Sequence, residues 1–262
     1  MNIQKALLPL LLLLVTIIGM AQNKEKELYI DYKLITKEDI WKVRTEVNAN
    51  QEKCLSKTTR KLFSAVHGSD EVDTVYSYTH VYKDYVSNNM KFEDMMPNGA
   101  PVFVEEQMNL INWKLGKEEK EIMGYQCREA RCTFRGRDYI AYFTTELPFK
   151  AAPWKFHGLP GVVLQVESTD EFLYLEAKTV RIQDAKEIVN PDRKENYMTW
   201  EEFVKMYAVK MKETHERFKS MMAAKSIEGK GGGLPRPEVI VEYNKKGLEE
   251  DHPIFKKRRE EE

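Results

Sequence analysis

The sequence predicts an α+β protein, with a large curved antiparallel β-sheet and one amphipathic helix packed on it near the C-terminus. Three observations predict this class. Apolar and polar residues alternate through much of the chain, most gaps between these segments are short, and the spacing changes late to threes and fours. Parallel strands need crossovers of a dozen residues or more, so the short gaps favour antiparallel pairing.

The first 21 residues are predicted to be a secretory signal peptide. Lys5 supplies a positive charge, residues 6–18 are almost purely apolar, and 19–21 form a small-x-small cleavage site. A membrane anchor is the alternative, but the apolar run is shorter than the ~20 residues that span a bilayer. The expected organisation is a signal peptide at 1–21, a single β-rich domain at 22–250 and a charged, disordered tail at 251–262.

The strands are predicted from alternation and from runs rich in Val, Tyr and Phe. In chain order they are 28–34, 62–66, 72–86, 102–113, 122–134, 138–147, 162–167, 172–182 and 239–243, with 40–48 left open. Residues 88–101 mix Met, Asn, Pro and Gly and are predicted to be a loop, and 117–120 a charged turn. A Gly-containing turn at 135–138 predicts a hairpin between the strands on either side.

One helix is predicted from Trp200 to Met222, where apolar residues recur at three and four positions. Thr199 and Glu202 form a capping box, with Thr199 as the N-cap residue. The face expected to pack on the sheet carries Phe203, Tyr207 and Met211.

Composition and motifs exclude several classes of function. Lys and Arg number 41 against 42 Asp and Glu, so a nucleic-acid binder is not expected. The five His residues show no zinc-ligand spacing, and no hydrolase, metallopeptidase or Walker motif occurs. We therefore expect no catalytic residue, no metal and no cofactor, and no membrane-spanning segment in the mature chain.

Three cysteines follow the predicted signal peptide. Export to an oxidising compartment favours one disulfide and one spare thiol. Cys127 and Cys132 cannot pair along one strand, because five residues span about 16 Å and a disulfide needs Cα atoms about 4.4–6.8 Å apart. Pairing of Cys54 with Cys127 or with Cys132 remains open, beside the alternative that all three are free and buried.

The loop at 153–161 carries apolar side chains among Gly and Pro. Pro160 and Gly161 suit a type II turn, in which Gly161 has a positive φ. Two interpretations follow. The loop is a rigid corner whose side chains plug one end of the core, or it is a binding lip for a ligand or partner. The lip would consist of Trp154, Phe156 and Leu159.

These residues resemble a known signature. Gly158-Leu159-Pro160-Gly161-Val162-Val163, preceded by Pro153-Trp154-Lys155-Phe156, is similar to the motif that names the GLPGLI family. Ile122 to Gly136 resembles the second block of that family, although Val162-Val163 replaces Leu-Ile and Ala152 stands where Gly is frequent. The resemblance implies export by a Bacteroidetes-type bacterium and implies no activity or catalytic residue. A half-barrel similar to periplasmic lipoprotein carriers is the analogy for the fold.

The main hypothesis is a non-enzymatic exported protein, located in the periplasm, at the outer membrane or outside the cell. It would bind an apolar ligand or an envelope protein. Binding of an apolar ligand requires a hollow concave face on the sheet. One alternative is a structural or interaction module with a filled interior. The other is an unrecognised hydrolase, which requires titratable groups with perturbed pKa values in one cleft.

Overall fold

The computed structural model describes residues 25–36, 43–65, 72–96, 100–171, 173–192 and 196–228. The predicted signal peptide, the strand at 239–243 and the tail at 251–262 lie outside them. The described residues form eleven strands and one helix. In chain order these are β1 Lys26–Thr36, β2 Val43–Ala49, β3 Lys53–Ala65, β4 Val72–Asp84, β5 Asn89–Met95, β6 Pro101–Gln107, β7 Lys114–Ile122, β8 Tyr125–Phe134, β9 Arg137–Thr144, β10 Val162–Ser168, β11 Leu173–Asp184 and α1 Trp200–Glu228.

All eleven strands lie in one sheet, in the order β6-β5-β4-β3-β2-β1-β11-β10-β9-β8-β7. Strands that are consecutive in the chain pair side by side, except that β6 and β7 occupy opposite edges. The first strand instead pairs with the last, and Ile30 lies opposite Val180. Every strand pair is antiparallel, as the short connections predict.

The connection between the two edge strands shows how strongly the sheet curves. Ten strand spacings separate β6 from β7, which would place them about 48 Å apart in a flat sheet. Only residues 108–113 join them, and a chain of that length reaches no more than about 25 Å. The sheet must therefore curl until its edges approach each other, which confirms the predicted curved sheet.

The predicted loop and the predicted charged turn are wrong, because each contains strand residues. The predicted loop at 88–101 contains β5, in which Met90 and Phe92 alternate into the core. The predicted charged turn at 117–120 lies inside β7, an edge strand whose Lys and Glu side chains deter pairing with another chain. The true turn is Met123-Gly124, where both residues have a positive φ.

The predicted hairpin between β8 and β9 is present and is tighter than the sequence suggests. Phe134 pairs with Arg137, so the connection contains only Arg135 and Gly136. Both have a positive φ, as a two-residue hairpin turn requires.

Two clusters of buried apolar residues form the hydrophobic core of the described part of the chain. The larger lies among β1, β2, β8–β11 and the connection between β9 and β10. The smaller lies between β4–β6 and α1, and it includes Phe92, Val104 and Phe203. Trp154 packs against both clusters, so the β9–β10 connection joins the two halves of the interior.

Helix α1 begins as predicted. The Thr199 Oγ1 accepts from the Glu202 amide at 3.2 Å, and the Thr199 amide donates to Glu202 at 2.8 Å. These reciprocal bonds form the capping box. Phe203 and Tyr207 are buried against the sheet, which confirms the predicted packing face. Within the described part of the chain, no helix combines the length and the apolar character needed to cross a membrane.

Candidate functional site

Residues 147–161, which connect β9 to β10, enter the concave side of the sheet; we call them the interior plug. Most of them are buried although they form no regular helix or strand. The segment folds back on its own end, since the Val163 amide donates to the Ala151 carbonyl at 2.8 Å. The GLPG motif is therefore the exit of a folded insert and not an exposed loop.

Phe156 is the centre of the interior plug. Its side chain has no solvent exposure, and its ring lies among four other aromatic rings. The ring centroids lie 5.0 Å from Tyr139, 5.2 Å from Trp154, 6.3 Å from Trp113 and 6.4 Å from Phe134. Tilted and edge-to-face pairs at these distances are favourable in addition to the area that they bury.

Polar contacts hold the plug against strands that are far away in the sequence. The Trp154 amide donates to Ser56 Oγ of β3 at 2.8 Å. The Lys83 ammonium of β4 donates to the Ala152 carbonyl at 2.7 Å. Lys83 is fully buried, and burial lowers its pKa to about 8. These bonds satisfy backbone groups that an irregular buried segment would otherwise leave unpaired.

Two further buried cations lie where the plug meets the helix. Lys155 pairs with Asp94 at 3.1 Å, and Arg135 pairs with Glu106 at 2.6 Å. Both cations also face the Trp200 ring, at 5.1 Å for Lys155 and 3.5 Å for Arg135. Neither cation is predictable from the sequence, since Lys and Arg are usually exposed and nothing in the sequence marks these two as buried.

His157 is a buried histidine that stays neutral. Its Nδ1 lies 2.9 Å from the Lys155 carbonyl. Burial is the main cause that lowers its pKa to about 4, and the nearby charges of Lys83 and Arg135 lower it further. Its Nε2 is buried without a hydrogen-bond partner among the described residues. The ring is thus placed as a core residue, packed edge-on against Phe134.

The structure corrects the predicted turn at Pro160-Gly161. Gly161 does not have the positive φ that a type II turn requires there, whereas Gly158 does, at +92°. Gly161 is required for a different reason, because a Cβ atom would lie 2.2 Å from the Thr144 carbonyl oxygen. The motif therefore uses Gly158 for its backbone conformation and Gly161 for close approach to β9.

The three residues of the predicted binding lip are not exposed together. Phe156 and Leu159 are buried in the larger cluster, and Trp154 is half-buried between the two clusters. Trp154 also has a positive φ of 49°, which is uncommon for a bulky residue and indicates strain. The arrangement is that of a plug, and a lip would need Phe156 and Leu159 at the surface.

The predicted disulfide is absent. Cys54, Cys127 and Cys132 are all free and buried. Cys54 on β3 and Cys127 on β8 are separated by six strand positions in the sheet, and each packs among different neighbours. Burial raises the pKa of Cys127 to about 11 and that of Cys132 to about 12, so both thiols stay protonated and unreactive.

A second cluster of chemical interest lies on the outer face. His80 of β4, Glu93 of β5 and Asp192 after β11 place their ligand atoms within 4.8 Å of one another. Burial raises the pKa of the Glu93 carboxyl, and the Asp192 and Asp94 carboxylates raise it further against the opposing effect of His80. This cluster is not predictable from the sequence, because its three residues are far apart in the chain and show no ligand spacing.

Comparisons with known proteins give a partial likeness in fold. No family model and no curated protein matches the chain. Two solved structures of PNGF-II are similar to part of it. The C2 crystal form has a TM-score of 0.46 and 16% identity over 62% of this chain and 28% of that one. The P21 crystal form has a TM-score of 0.49 and 14% sequence identity, over 70% of this chain and 33% of that one. The chain thus spans about a third of the length of these structures.

Proposed function

We propose that the protein is an exported, envelope-associated member of the GLPGLI family that binds a protein partner through its outer surface. The observation that carries the proposal is the position of Phe156, fully buried among four aromatic rings. The concave side of a curved sheet is where an apolar ligand would bind. Here the chain's own plug takes that place, so the filled-interior alternative is favoured.

One open cleft among the described residues has a polar lining. A cleft of about 560 Å³ lies at the ends of β1, β3 and β11. Its charged residues are Glu25, Glu52, Asp184, Glu187, Lys53 and Lys186. Asp184 is also paired with Lys26 at 2.7 Å, so the cleft carries an excess of one carboxylate over the ammonium groups. A polar, slightly acidic lining suits a basic segment of a partner protein better than an acyl chain.

The two edges of the sheet differ in what they offer to a partner. The β6 edge is covered, because the Glu105 amide donates to the Met198 carbonyl and the Met198 amide donates to Phe103. Among the described strands β7 pairs with β8 alone, and its several Lys and Glu side chains deter strand addition. Binding through side chains at the cleft is therefore favoured over strand addition at an edge.

Export and family membership rest on the sequence. The signal-like segment at 1–21 and the motif at 153–163 support them. Intact-mass measurement of the native protein tests export, and we expect a species that lacks Met1 to Ala21. A mature protein that still contains this segment would overturn the export part of the proposal.

The binding part is tested by native mass spectrometry and by cross-linking in the envelope. We expect protein without a bound lipid, and a cross-linked partner whose yield falls about fivefold with Glu52→Lys or Glu187→Lys. Glu201→Lys, on the exposed first turn of α1, is the matched control and should leave the yield unchanged. A stoichiometric lipid in the purified protein, or equal yields from all three variants, would contradict the proposal.

A further inference from the structure

We propose that His80, Glu93 and Asp192 form a binding site for one divalent transition-metal ion of the Zn²⁺ class. The three side chains come from three separate parts of the fold, and their ligand atoms lie within 4.8 Å of one another. The inference is independent of the proposed partner, because the site lies on β4 and β5 and not at the cleft.

Strand pairing brings the first two ligands together. Val81 pairs with Phe92, so the next position in the same register sets His80 opposite Glu93. Val81 and Phe92 point into the smaller cluster, and side chains alternate along a strand. His80 and Glu93 therefore lie on the outer face of the sheet as neighbours across two strands.

The third ligand comes from the segment that follows β11. Asp192 Oδ2 lies 2.6 Å from His80 Nε2, and both side chains are largely buried. Zinc bonds of about 2.0–2.2 Å in tetrahedral geometry separate ligand atoms by roughly 3.3 Å. The His80 and Asp192 atoms need to separate by less than 1 Å, which a small side-chain rotation supplies.

The donor set selects the class of metal. One imidazole nitrogen and two carboxylate oxygens suit Zn²⁺ and related transition ions, whereas Ca²⁺ and Mg²⁺ prefer all-oxygen sites. Two carboxylates beside one imidazole also supply the negative charge that a divalent cation neutralises. Three protein ligands leave one tetrahedral position for water or another ligand.

Residues outside the triad hold Asp192 in place. The Asp192 amide donates to Asn190 Oδ1 at 3.2 Å, and the Tyr197 hydroxyl donates to the Asp192 carbonyl at 3.2 Å. Asn190 Nδ2 in turn donates to the Tyr197 hydroxyl at 2.7 Å. Metal ligands are usually oriented by such outer contacts, and here they fix the backbone that carries the carboxylate.

The site is tested on the mature chain, purified without a polyhistidine tag and stripped with a chelator. Titration with ZnCl₂ in a calorimeter should show one ion per chain, and zinc should raise the melting temperature. CoCl₂ in place of zinc should give a visible absorption band typical of coordinated nitrogen and oxygen. His80→Asn and Asp192→Asn should each weaken zinc binding by at least about tenfold.

His215→Asn is the matched control, since His215 lies exposed on α1 and its loss should leave zinc binding unchanged. Circular dichroism shows whether each variant folds. Glu93→Gln keeps the side-chain volume. If the other two variants unfold, this variant tests the site, and it should bind zinc more weakly than the wild type. A wild-type chain that binds neither metal, or a folded Glu93→Gln variant that binds zinc as the wild type does, would overturn the proposal and leave only a His80–Asp192 hydrogen bond.

Discussion

The interior plug and helix α1 both cover the concave side of the sheet, and they do so in opposite ways. The plug is irregular, yet Phe156 is completely buried at its centre. The helix is regular, yet burial is concentrated in its first two turns, at Phe203 and Tyr207. Farther along, Val209 is 58% exposed and Met221 is 40% exposed.

The difference follows from how the backbone amides and carbonyls of each segment find hydrogen-bond partners. A helix pairs its own amides and carbonyls, so it needs only one apolar stripe against the sheet. The plug has only a few backbone pairs of its own, such as Phe156 with Pro153. Strands β3 and β4 supply further partners, through Ser56 to the Trp154 amide and through Lys83 to the Ala152 carbonyl. Regular structure is thus a poor guide to which segment is held more tightly in this protein.

The largest expected effect comes from removing the centre of the plug. Phe156→Ala should lower the free energy of unfolding by about 3–5 kcal/mol, near the upper end because four rings lose a neighbour. Phe203→Ala should also cost about 3 kcal/mol or more, since this ring is fully buried under α1. Chemical denaturation with tryptophan fluorescence measures both.

Val209→Ala is the control on the exposed side of the helix, and it should change stability by less than about 0.5 kcal/mol. If Phe203→Ala proves clearly more destabilising than Phe156→Ala, the helix and not the plug is the tighter of the two regions. If Phe156→Ala leaves the denaturation midpoint unchanged, the plug is not part of the folded core.

Acid should lower the free energy of unfolding through His157, by up to roughly 3 kcal/mol. His157 has a folded pKa of about 4, below the ordinary value of 6.5. Below pH 6.5 His157 becomes protonated in the unfolded chain, whereas in the folded chain it is protonated only near pH 4. Stability should therefore fall as the pH drops from 6.5 to 4, and denaturation at several pH values measures it.

His157→Gln should flatten this part of the pH profile while lowering stability at neutral pH. His215→Asn, on the exposed helix surface, should leave the slope unchanged. An unchanged slope in His157→Gln would show that other groups cause the acid sensitivity.

The smallest expected changes in stability come from replacing the two glycines of the motif, and each change has a different cause. Gly161→Ala should cost about 1–3 kcal/mol, because the new Cβ meets the Thr144 backbone, which cannot move aside easily. Gly158→Ala should cost about 1–2 kcal/mol through its positive φ alone, since its Cβ would make only ordinary contacts, 3.5 Å from Trp113 at the nearest. Thermal and chemical denaturation compare the two.

Pro160→Ala, at the exposed position between them, is the control and should be nearly neutral. A Gly161→Ala variant as stable as the wild type would show that β9 and the end of the plug are farther apart than the structure places them.

The sequence by itself determined the features that depend on neighbouring residues. Alternation predicted most strands, the Thr199–Glu202 pair predicted the start of the helix, and the turn after Phe134 predicted the β8–β9 hairpin. Each of these depends on contacts within a few residues. Asn89–Met95 and Lys114–Ile122 were missed, because their composition is typical of a loop or turn and only pairing with other strands makes them extended.

Tertiary structure alone decided what the motif and the chemical groups do. The sequence singled out Trp154, Phe156 and Leu159. It did not decide between a binding lip and a core plug, since the burial of these residues depends on the curvature of the whole sheet. Gly161 is needed because the backbone of Thr144 at the end of β9 leaves no room for a Cβ atom. The three cysteines are free, with Cys54 on β3 and the other two on β8. Such distances join residues far apart in the chain, and no local pattern records them.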